Sequence, residues 1–211
     1  MQSSAVRGID VSAYQGAIDW AKVKASGYSF AFAKATEGEF TVDNSFAENW
    51  AAIKSAGMLR GAYHFFRPYR DAAAQAQHFL TQVQLGDEAL PPAVDVEVRD
   101  RVEPALIVAG LSTFADLVVK RTGHRPIIYT SPDFWINQLA NPKSLSDLPL
   151  WIAHYTTGNP IIPGGWSKFT FWQFASTGNV DGIAGSVDTD LFSGSYGELL
   201  ALARASSVDL A

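Results

Sequence analysis

Short apolar runs alternate along the chain with stretches in which apolar residues recur every three or four positions. The short runs are typical of buried strands, and the second spacing is typical of helices that bury one face. Strands that alternate with helices predict a parallel sheet. We predict about eight strands, at Gly8–Ser12, Ser29–Lys34, Leu59–Phe66, Ala93–Val98, Pro126–Thr130, Leu150–His154, Thr170–Phe174 and Ser186–Leu191.

Five helices are predicted between these strands. The first begins at Asp19, a favoured N-cap residue, and ends at Gly27. A fifth is expected to begin at Ser131 and Pro132, which suit an N-cap and the first helical position. The apolar faces of the three helices between them consist of Phe46, Trp50 and Ile53, of Ala72, Ala76, Phe79 and Val83, and of Ile107, Leu111, Phe114 and Val118.

The helical pattern is lost in the last third of the chain. After Asn141 the predicted strands are separated by loops with proline and glycine, such as residues 159–165, rather than by helices. We therefore predict an α/β fold, an irregular TIM-like parallel β/α barrel of about eight strands with helices missing in the C-terminal part. An open doubly wound sheet is the alternative, although no glycine-rich phosphate loop follows the first strand.

The domain organisation is predicted to be simple. The chain shows no internal repeat, low-complexity tract or linker, so residues 1–211 are expected to form a single domain. The core is expected to span about residues 8–204, with terminal extensions at 1–7 and 205–211. Residues 1–7 lack the apolar stretch of a signal peptide, so export would use another route or a signal that has been removed.

Composition narrows the functional classes. Of the 211 residues, 47% are hydrophobic, which suffices for a buried core, yet no apolar run reaches the roughly 20 residues of a membrane helix. A net charge of −5, from 21 acidic and 16 basic residues, argues against nucleic acid as a partner. The chain has no cysteine for disulfides or thiol chemistry, and none of its four histidines has metal-site spacing, so no metal or cofactor is expected.

The segment 94–98 places two acidic residues on one face of a predicted strand. Side chains alternate along a strand, so Asp95 and Glu97 point the same way, about 7 Å apart along the backbone, while three valines point the other way. Repulsion between two buried carboxylates raises the pKa of one of them, which leaves a protonated acid beside an ionised base. This pattern is expected of acid–base catalysis. The alternative is a strand whose acidic face lies in solvent.

Three further acidic residues lie in predicted strands. Asp10 lies near the end of the first strand, where barrel enzymes place catalytic side chains, although it could equally cap the following turn. Asp188 and Asp190 form a second pair with the same spacing as the first. One of them could complete a ring of carboxylates, and the other could face a loop.

Aromatic residues make up 12% of the chain. Several of them lie beside polar groups at predicted strand ends, namely Tyr63, Tyr129, Trp151, Tyr155 and Trp172, and His64 and Gln173 are two of the polar neighbours. A cleft for sugars needs apolar faces for the C–H surfaces and hydrogen-bonding groups for the hydroxyls. The alternative is that the rings fill the core. His64 and His154 are weaker candidates, because a histidine among apolar residues is usually a packing residue.

Other enzyme classes lack their motifs. The chain contains no Gly-x-Ser-x-Gly elbow, no His-Glu-x-x-His pair and no phosphate loop. An α/β-hydrolase triad, a zinc peptidase and a nucleotide-binding enzyme are therefore disfavoured. The acidic residues stay as the strongest candidates for chemistry.

Six short motifs occur in the order in which one enzyme family has them. They are Gly8-Ile9-Asp10-Val11-Ser12, Lys34-Ala35-Thr36-Glu37-Gly38, Gly61-Ala62-Tyr63-His64-Phe65, Asp95-Val96-Glu97, Trp151-Ile152-Ala153 and Trp172-Gln173-Phe174. Together they resemble the lysozymes of glycoside hydrolase family 25, from about Gly8 to Phe192. The resemblance implies an N-acetylmuramidase that cleaves the β-1,4 bond between N-acetylmuramic acid and N-acetylglucosamine. It also implies an irregular α/β barrel with an incomplete ring of helices.

The resemblance implies roles for individual residues. Glu97 matches the general acid/base and Asp95 its carboxylate neighbour, while Asp10 and Asp188 match the other catalytic acids. Asp190 stands where the family often has asparagine, so either Asp188 or Asp190 can reach the site. The substrate-binding positions are matched by Lys34, Glu37, Tyr63, Tyr129, Trp151 and Gln173, to which we add Asp190. The implied partner is the glycan strand of bacterial peptidoglycan, bound by a monomer outside the cell or at the wall, without a cofactor.

The Asp-x-Glu spacing favours one mechanism. A carboxylate only two residues from the acid is poorly placed to attack the opposite face of the sugar, so the substrate's own acetamido oxygen is expected to attack, with retention of configuration. Two other functions stay open. A chitinase-like hydrolase also has Asp-x-Glu, but within a longer acidic series, where this chain has Pro92 and Ala93. The other is a non-catalytic glycan-binding barrel, which would not need intact carboxylates.

Overall fold

A nine-stranded sheet closes on itself in the computed structural model of the chain, which describes residues 5–86 and 89–204. The expected extensions therefore lie largely outside the described residues. The strands are β1 Val6–Val11, β2 Tyr28–Glu37, β3 Thr41–Val42, β4 Leu59–Phe65, β5 Ala93–Asp95, β6 Ile127–Thr130, β7 Leu150–Ala153, β8 Phe171–Gly178 and β9 Val187–Phe192. The helices are α1 Trp20–Ala25, α2 Phe46–Ser55, α3 Ala72–Gln82, α4 Pro104–Thr122 and α5 Tyr196–Arg204.

Eight of the nine strands form the barrel. The strand order is β1-β9-β8-β7-β6-β5-β4-β2-β3, and a further pairing of β1 with β2 closes the ring and leaves β3 outside it. The prediction of a single barrel of about eight strands is confirmed, and each predicted strand is present. The alternative of an open doubly wound sheet is wrong, because in an open sheet β1 and β2 would not pair with each other.

The last strand corrects the expectation that all strands run parallel. Strand β9 is antiparallel to both of its neighbours, β8 and β1. Only residues 179–186 connect β8 to β9. A parallel connection needs a crossover of about a dozen residues or more, so this short loop returns the chain in the opposite direction.

The helices follow the predicted pattern as far as α4. Helix α4 begins with Pro104 at its first position and ends at Gly123, whose φ of 72° is left-handed. The helix expected at Ser131 is reduced to a short π-helical turn, Phe134–Gln138, although the Ser131 hydroxyl accepts the Phe134 N–H at 3.2 Å as a cap should. No helix separates β7, β8 and β9, as predicted. Helix α5, which follows β9, was not predicted.

Aromatic rings fill the lower part of the barrel, by which we mean the end where the parallel strands begin. The Phe32 ring stacks on Trp151 at 4.5 Å between centroids and meets Phe171 edge-on at 5.2 Å. Two glycines make room for rings in this layer. A Cβ atom at Gly61 would lie 2.2 Å from the Phe32 ring, and one at Gly8 would lie 2.2 Å from a second phenylalanine ring. The barrel is therefore packed below, and its polar residues gather at the opposite, upper end.

The helices cover the outside of the sheet. A second apolar layer, between the strands and α1 to α4, includes Val23, Ile53, Phe79 and Phe114. In the part of the chain that the structure describes, no helix combines the length and apolar character needed to cross a membrane.

Candidate active site

A pocket of about 310 Å³ opens at the upper end of the barrel, where the parallel strands have their carboxyl ends. Strand β9 runs the other way, so its beginning lies at the same rim, and Asp188 pairs there with Asp10 of β1. The pocket is lined by Asp10, Ser12, Lys34, Tyr63, Phe65, Asp95, Glu97, Tyr129, Trp151, Tyr155, Gln173 and Asp188. The structure thus brings together all of the predicted site residues except Glu37 and Asp190.

The two exceptions lie close to the pocket without lining it. Glu37 forms an ion pair of 2.7 Å with Lys34, which does line the pocket. A second ion pair, of 3.6 Å, joins Glu37 to Arg67. Asp190 is completely buried below the pocket and accepts a hydrogen bond from the Trp151 indole N–H at 2.8 Å. Of the pair Asp188 and Asp190, only Asp188 reaches the pocket.

Three pocket residues were not among the predicted site residues. Phe65 lies two residues after Tyr63 on β4, and Ser12 lies two residues after Asp10, so strand alternation could have found both. Tyr155 was noted as an aromatic residue near a strand end, but the sequence offers no signal that its hydroxyl turns back into the barrel.

The side-chain amide of Gln173 connects three pocket residues. Its Nε2 donates to Asp10 Oδ2 at 2.7 Å, and its Oε1 accepts from the hydroxyls of Tyr129 at 2.9 Å and Tyr155 at 2.8 Å. Burial raises the pKa of Tyr155 to about 12 and raises that of Tyr129 as well, so both stay protonated and can donate. One amide therefore fixes the orientation of a carboxylate and two phenols.

Asp95 and Glu97 form an electrostatically coupled pair. Asp95 is only 6% exposed, and its Oδ1 makes no hydrogen bond within the described residues, whereas Glu97 is exposed at the rim of the pocket. The alternative of an acidic face in solvent is therefore wrong for Asp95 but not for Glu97. Burial, and then the charge of Glu97, raise the pKa of Asp95 well above the usual carboxyl range. Burial also raises the pKa of Glu97, against the opposing effect of Lys34. The charge of one carboxylate disfavours ionisation of the other, so the pair favours a state that holds a single proton.

The other two carboxyl groups are also shifted by their surroundings. Burial, followed by the neighbouring carboxyl groups of Asp190 and Asp188, raises the pKa of Asp10, and the hydrogen bond from Gln173 works against this. Burial raises the pKa of Asp188. Lys34, on the strand β2 that pairs with β1, supplies positive charge, and its Nζ lies 4.8 Å from the centre of the Phe65 ring. The pocket therefore contains four carboxyl groups with raised pKa values and has one cationic edge.

His64 does not belong to the pocket. It is completely buried, with Nδ1 2.7 Å from the Thr36 hydroxyl and Nε2 3.1 Å from Gln75 Oε1. Burial lowers its pKa to about 3, so it stays neutral. Its role is structural, because Gln75 in turn bonds the backbone of Arg67 beside the pocket. Across residues 5–86 and 89–204, no three histidine, cysteine, aspartate or glutamate side chains are grouped so as to hold a metal ion.

Asp190 carries a proton at neutral pH. Burial raises its pKa to about 8, an effect to which the charge of Asp188 adds and which the hydrogen bond from Trp151 partly offsets. Its Oδ2 makes no hydrogen bond in the described part of the chain. A neutral carboxyl group of this kind has the shape and donor capacity of an asparagine side chain.

Replacing Asp190 by asparagine is expected to remove a pH dependence of stability. In the wild type the folded state keeps the Asp190 proton up to about pH 8, whereas the unfolded chain loses it near pH 3.8. The stability of the wild type relative to Asp190→Asn should therefore fall as the pH rises from about 4 to about 8, by at most about 1.4 kcal/mol per pH unit, and stay level above. Urea unfolding at several pH values measures this difference, and parallel curves for the two proteins would contradict it.

Comparison with known proteins places the chain in a family. Residues 9–183 match the sequence profile described as Glycosyl hydrolases family 25. Lysozyme M1 of Streptomyces globisporus is 37% identical over 96% of this chain and 72% of its own length. The protein YegX of Escherichia coli (strain K12) is 40% identical over 94% of this chain and 74% of its own length.

A solved structure agrees with the fold over nearly the full length. The crystal structure of the bacterial lysozyme from Streptomyces coelicolor superposes with a TM-score of 0.92 at 35% identity, and the match covers 97% of this chain and 99% of that one. Sequence profile, relatives and architecture point the same way. This chain belongs to the glycosyl hydrolases of family 25.

Proposed function

We propose that the chain is a lysozyme that hydrolyses the β-1,4 bond between N-acetylmuramic acid and N-acetylglucosamine in bacterial peptidoglycan. The observation that carries this proposal is the pair Asp95 and Glu97, whose pKa values are both raised in the upper pocket of a family 25 barrel. The similarity to Lysozyme M1 supports the choice of substrate. A glycosidase needs an acid for the leaving oxygen and negative charge or a nucleophile at the sugar carbon.

The proton of the pair must be on Glu97 when the bond breaks. In the free enzyme the more deeply buried Asp95 competes for it. The acetamido N–H of the bound sugar can donate to Asp95, and a hydrogen bond to the ionised form lowers the pKa of a carboxyl group. Substrate binding then favours ionised Asp95 and leaves the proton on Glu97, which can give it to the leaving oxygen.

The acetamido group also supplies the nucleophile in this scheme. Its carbonyl oxygen attacks the anomeric carbon as Glu97 protonates the leaving oxygen, and a cyclic oxazolinium ion forms. Ionised Glu97 then takes a proton from a water molecule, which attacks the same carbon and opens that ring. Asp10 and Asp188, on the opposite wall of the pocket, would place negative charge near the developing positive charge on the sugar ring.

Two inversions at one carbon give net retention of configuration. We therefore expect the β anomer to be the first product when cleavage of glycan strands is followed by proton NMR, before mutarotation mixes the anomers. A dominant α anomer at the earliest times would show a single inversion and reject the acetamido scheme.

The remaining proposals concern the whole protein. We propose that residues 1–211 act as one catalytic domain and as a monomer, because a single chain supplies every residue that lines the pocket. We also propose that it acts outside the cell or at the wall, where peptidoglycan is found. Light scattering at assay concentrations tests the monomer, and a stable dimer would contradict it.

Digestion of purified peptidoglycan tests the function itself. The products are reduced with borohydride and their terminal sugars identified by mass spectrometry, and we expect N-acetylmuramitol. N-acetylglucosaminitol would indicate cleavage of the other glycosidic bond. Preferential cleavage of chitin oligomers would favour the chitinase-like alternative, and binding of peptidoglycan without products would favour a non-catalytic barrel.

A further inference from the structure

A second depression adjoins the catalytic pocket. It has a volume of about 610 Å³ and lies between residues 131–137, which follow β6, and residues 153–161, which begin at the last residue of β7. We call it the β6–β7 trough. Three residues line both cavities, namely Glu97, Tyr129 and Tyr155. The trough is therefore a continuation of the catalytic pocket and not a separate surface feature.

Glu97 stands at the junction of the two cavities, while the other carboxylates do not. Asp10, Asp95 and Asp188 line only the catalytic pocket. The acid of a glycosidase must contact the oxygen that joins the two sugars, so one sugar lies on each side of it. The sugar whose anomeric carbon reacts needs the nearby negative charge and hence the catalytic pocket. The leaving sugar must then lie on the other side of Glu97.

We propose that the β6–β7 trough binds the leaving N-acetylglucosamine of the glycan strand, and that Ile161 provides an apolar contact for it. The proposal rests on the proposed muramidase function, and it adds a direction to the bound strand. The reacting N-acetylmuramic acid lies over Asp95, and the strand continues past Glu97 between the loops that follow β6 and β7.

The side chains of the trough match a neutral sugar. Ile136, Ile161 and Pro132 offer apolar surface for the C–H face of a pyranose ring and for an acetyl methyl group. Ile161 is 54% exposed although it is a large apolar residue. An exposed aliphatic side chain beside an acid–base pair is placed to contact substrate rather than to stabilise the core.

Polar groups in the trough are oriented by neighbouring bonds. His154 Nδ1 accepts the backbone N–H of Ile161 at 3.1 Å, so the ring proton lies on Nε2, which can donate to a sugar hydroxyl. The amide nitrogen of Asn137 donates to Asp133 Oδ1 at 2.8 Å, which leaves the amide oxygen to accept. These groups provide both kinds of hydrogen bond that sugar hydroxyls make.

The charge of the trough favours N-acetylglucosamine over N-acetylmuramic acid, which carries the peptide of the wall. Its lining contains the acidic residues Glu97 and Asp133 and no lysine or arginine. N-acetylmuramic acid carries a lactyl group from which a peptide with carboxylates extends, and such a group would be repelled there. N-acetylglucosamine has no charge, so it is the sugar of the strand that fits.

The variant Ile161→Asp tests the proposal by binding. In an inactive Glu97→Gln background, calorimetry compares the disaccharide N-acetylglucosaminyl-N-acetylmuramic acid, which ends at the cleavage point, with the tetrasaccharide that continues beyond it. Ile161→Asp should weaken binding of the tetrasaccharide about 10-fold and leave binding of the disaccharide unchanged. Ile161→Leu should restore most of the tetrasaccharide affinity, because it returns the apolar surface.

A matched control separates this effect from surface charge. Leu106, on α4, is 66% exposed and lies outside both cavities, so Leu106→Asp should bind both oligosaccharides as the unsubstituted background does. Equal losses for the two ligands in Ile161→Asp, or no loss for the tetrasaccharide, would overturn the trough as the leaving-sugar site. If the wild type failed to cleave glycan strands, the muramidase function would fail instead, whatever the binding data showed.

Discussion

Replacing Glu97 by glutamine is expected to lower kcat on peptidoglycan by about 10²- to 10⁴-fold, the usual contribution of a general acid. Glutamine keeps the shape of the side chain and cannot donate a proton to the leaving oxygen. Affinity for the glycan should change little, because the aromatic and hydrogen-bonding surfaces of the pocket are retained. Initial rates of reducing-end release and calorimetric binding give the two quantities separately.

The pH profile and a control variant sharpen this prediction. Wild-type kcat/KM should form a bell, with a fall at high pH where the Asp95–Glu97 pair loses its shared proton and a fall at low pH where both are protonated. Because burial raises both pKa values, the bell should lie above the usual carboxyl range. Glu48→Gln, an exposed change on α2, should retain wild-type activity. Near-normal activity of Glu97→Gln would remove Glu97 from its role.

The strands were predictable because each is a short apolar run with a clear end. Their direction was not, since the same pattern describes a parallel and an antiparallel strand, and the short connection before β9 decides between them. Helix α5 was missed for a related reason. Its buried residues Leu199 and Ala203 pack against the aromatic cluster in the lower part of the barrel, a contact that depends on closure of the whole sheet.

The acidic centre was predictable from alternation alone, because Asp95 and Glu97 lie two residues apart beside a buried strand. The groups that orient the pocket were not. The bond from Gln173 to Asp10 joins residues 163 positions apart, and the bond from Tyr155 to the same amide depends on the loop after β7. The second cavity beside Glu97 lies between the π-helical turn after β6 and the loop after β7, and the meeting of these two segments is not encoded by a periodic pattern in either one.

Replacing Asp95 by asparagine should lower activity and raise stability. Asp95→Asn is expected to lower kcat by about 10²- to 10³-fold, the usual effect of removing one preorganised electrostatic group. Asparagine cannot accept the acetamido N–H as a charged group does, nor return a proton to Glu97. The same change removes a buried carboxyl group with a strongly raised pKa, so the variant should unfold at a higher urea concentration than the wild type at neutral pH.

A substrate with a better leaving group distinguishes the activity defect of Asp95→Asn from that of Glu97→Gln. The 4-nitrophenolate anion is stable enough to leave without being protonated, so on a 4-nitrophenyl glycoside of the disaccharide the defect of Glu97→Gln should shrink. Asp95 acts on the acetamido group instead, so its defect should persist with the same substrate. Asp181→Asn, an exposed change in the loop before β9, serves as the matched control and should behave as the wild type. If both defects shrank equally, Asp95 would act only through the proton of Glu97, and the direct contact with the acetamido group would be wrong.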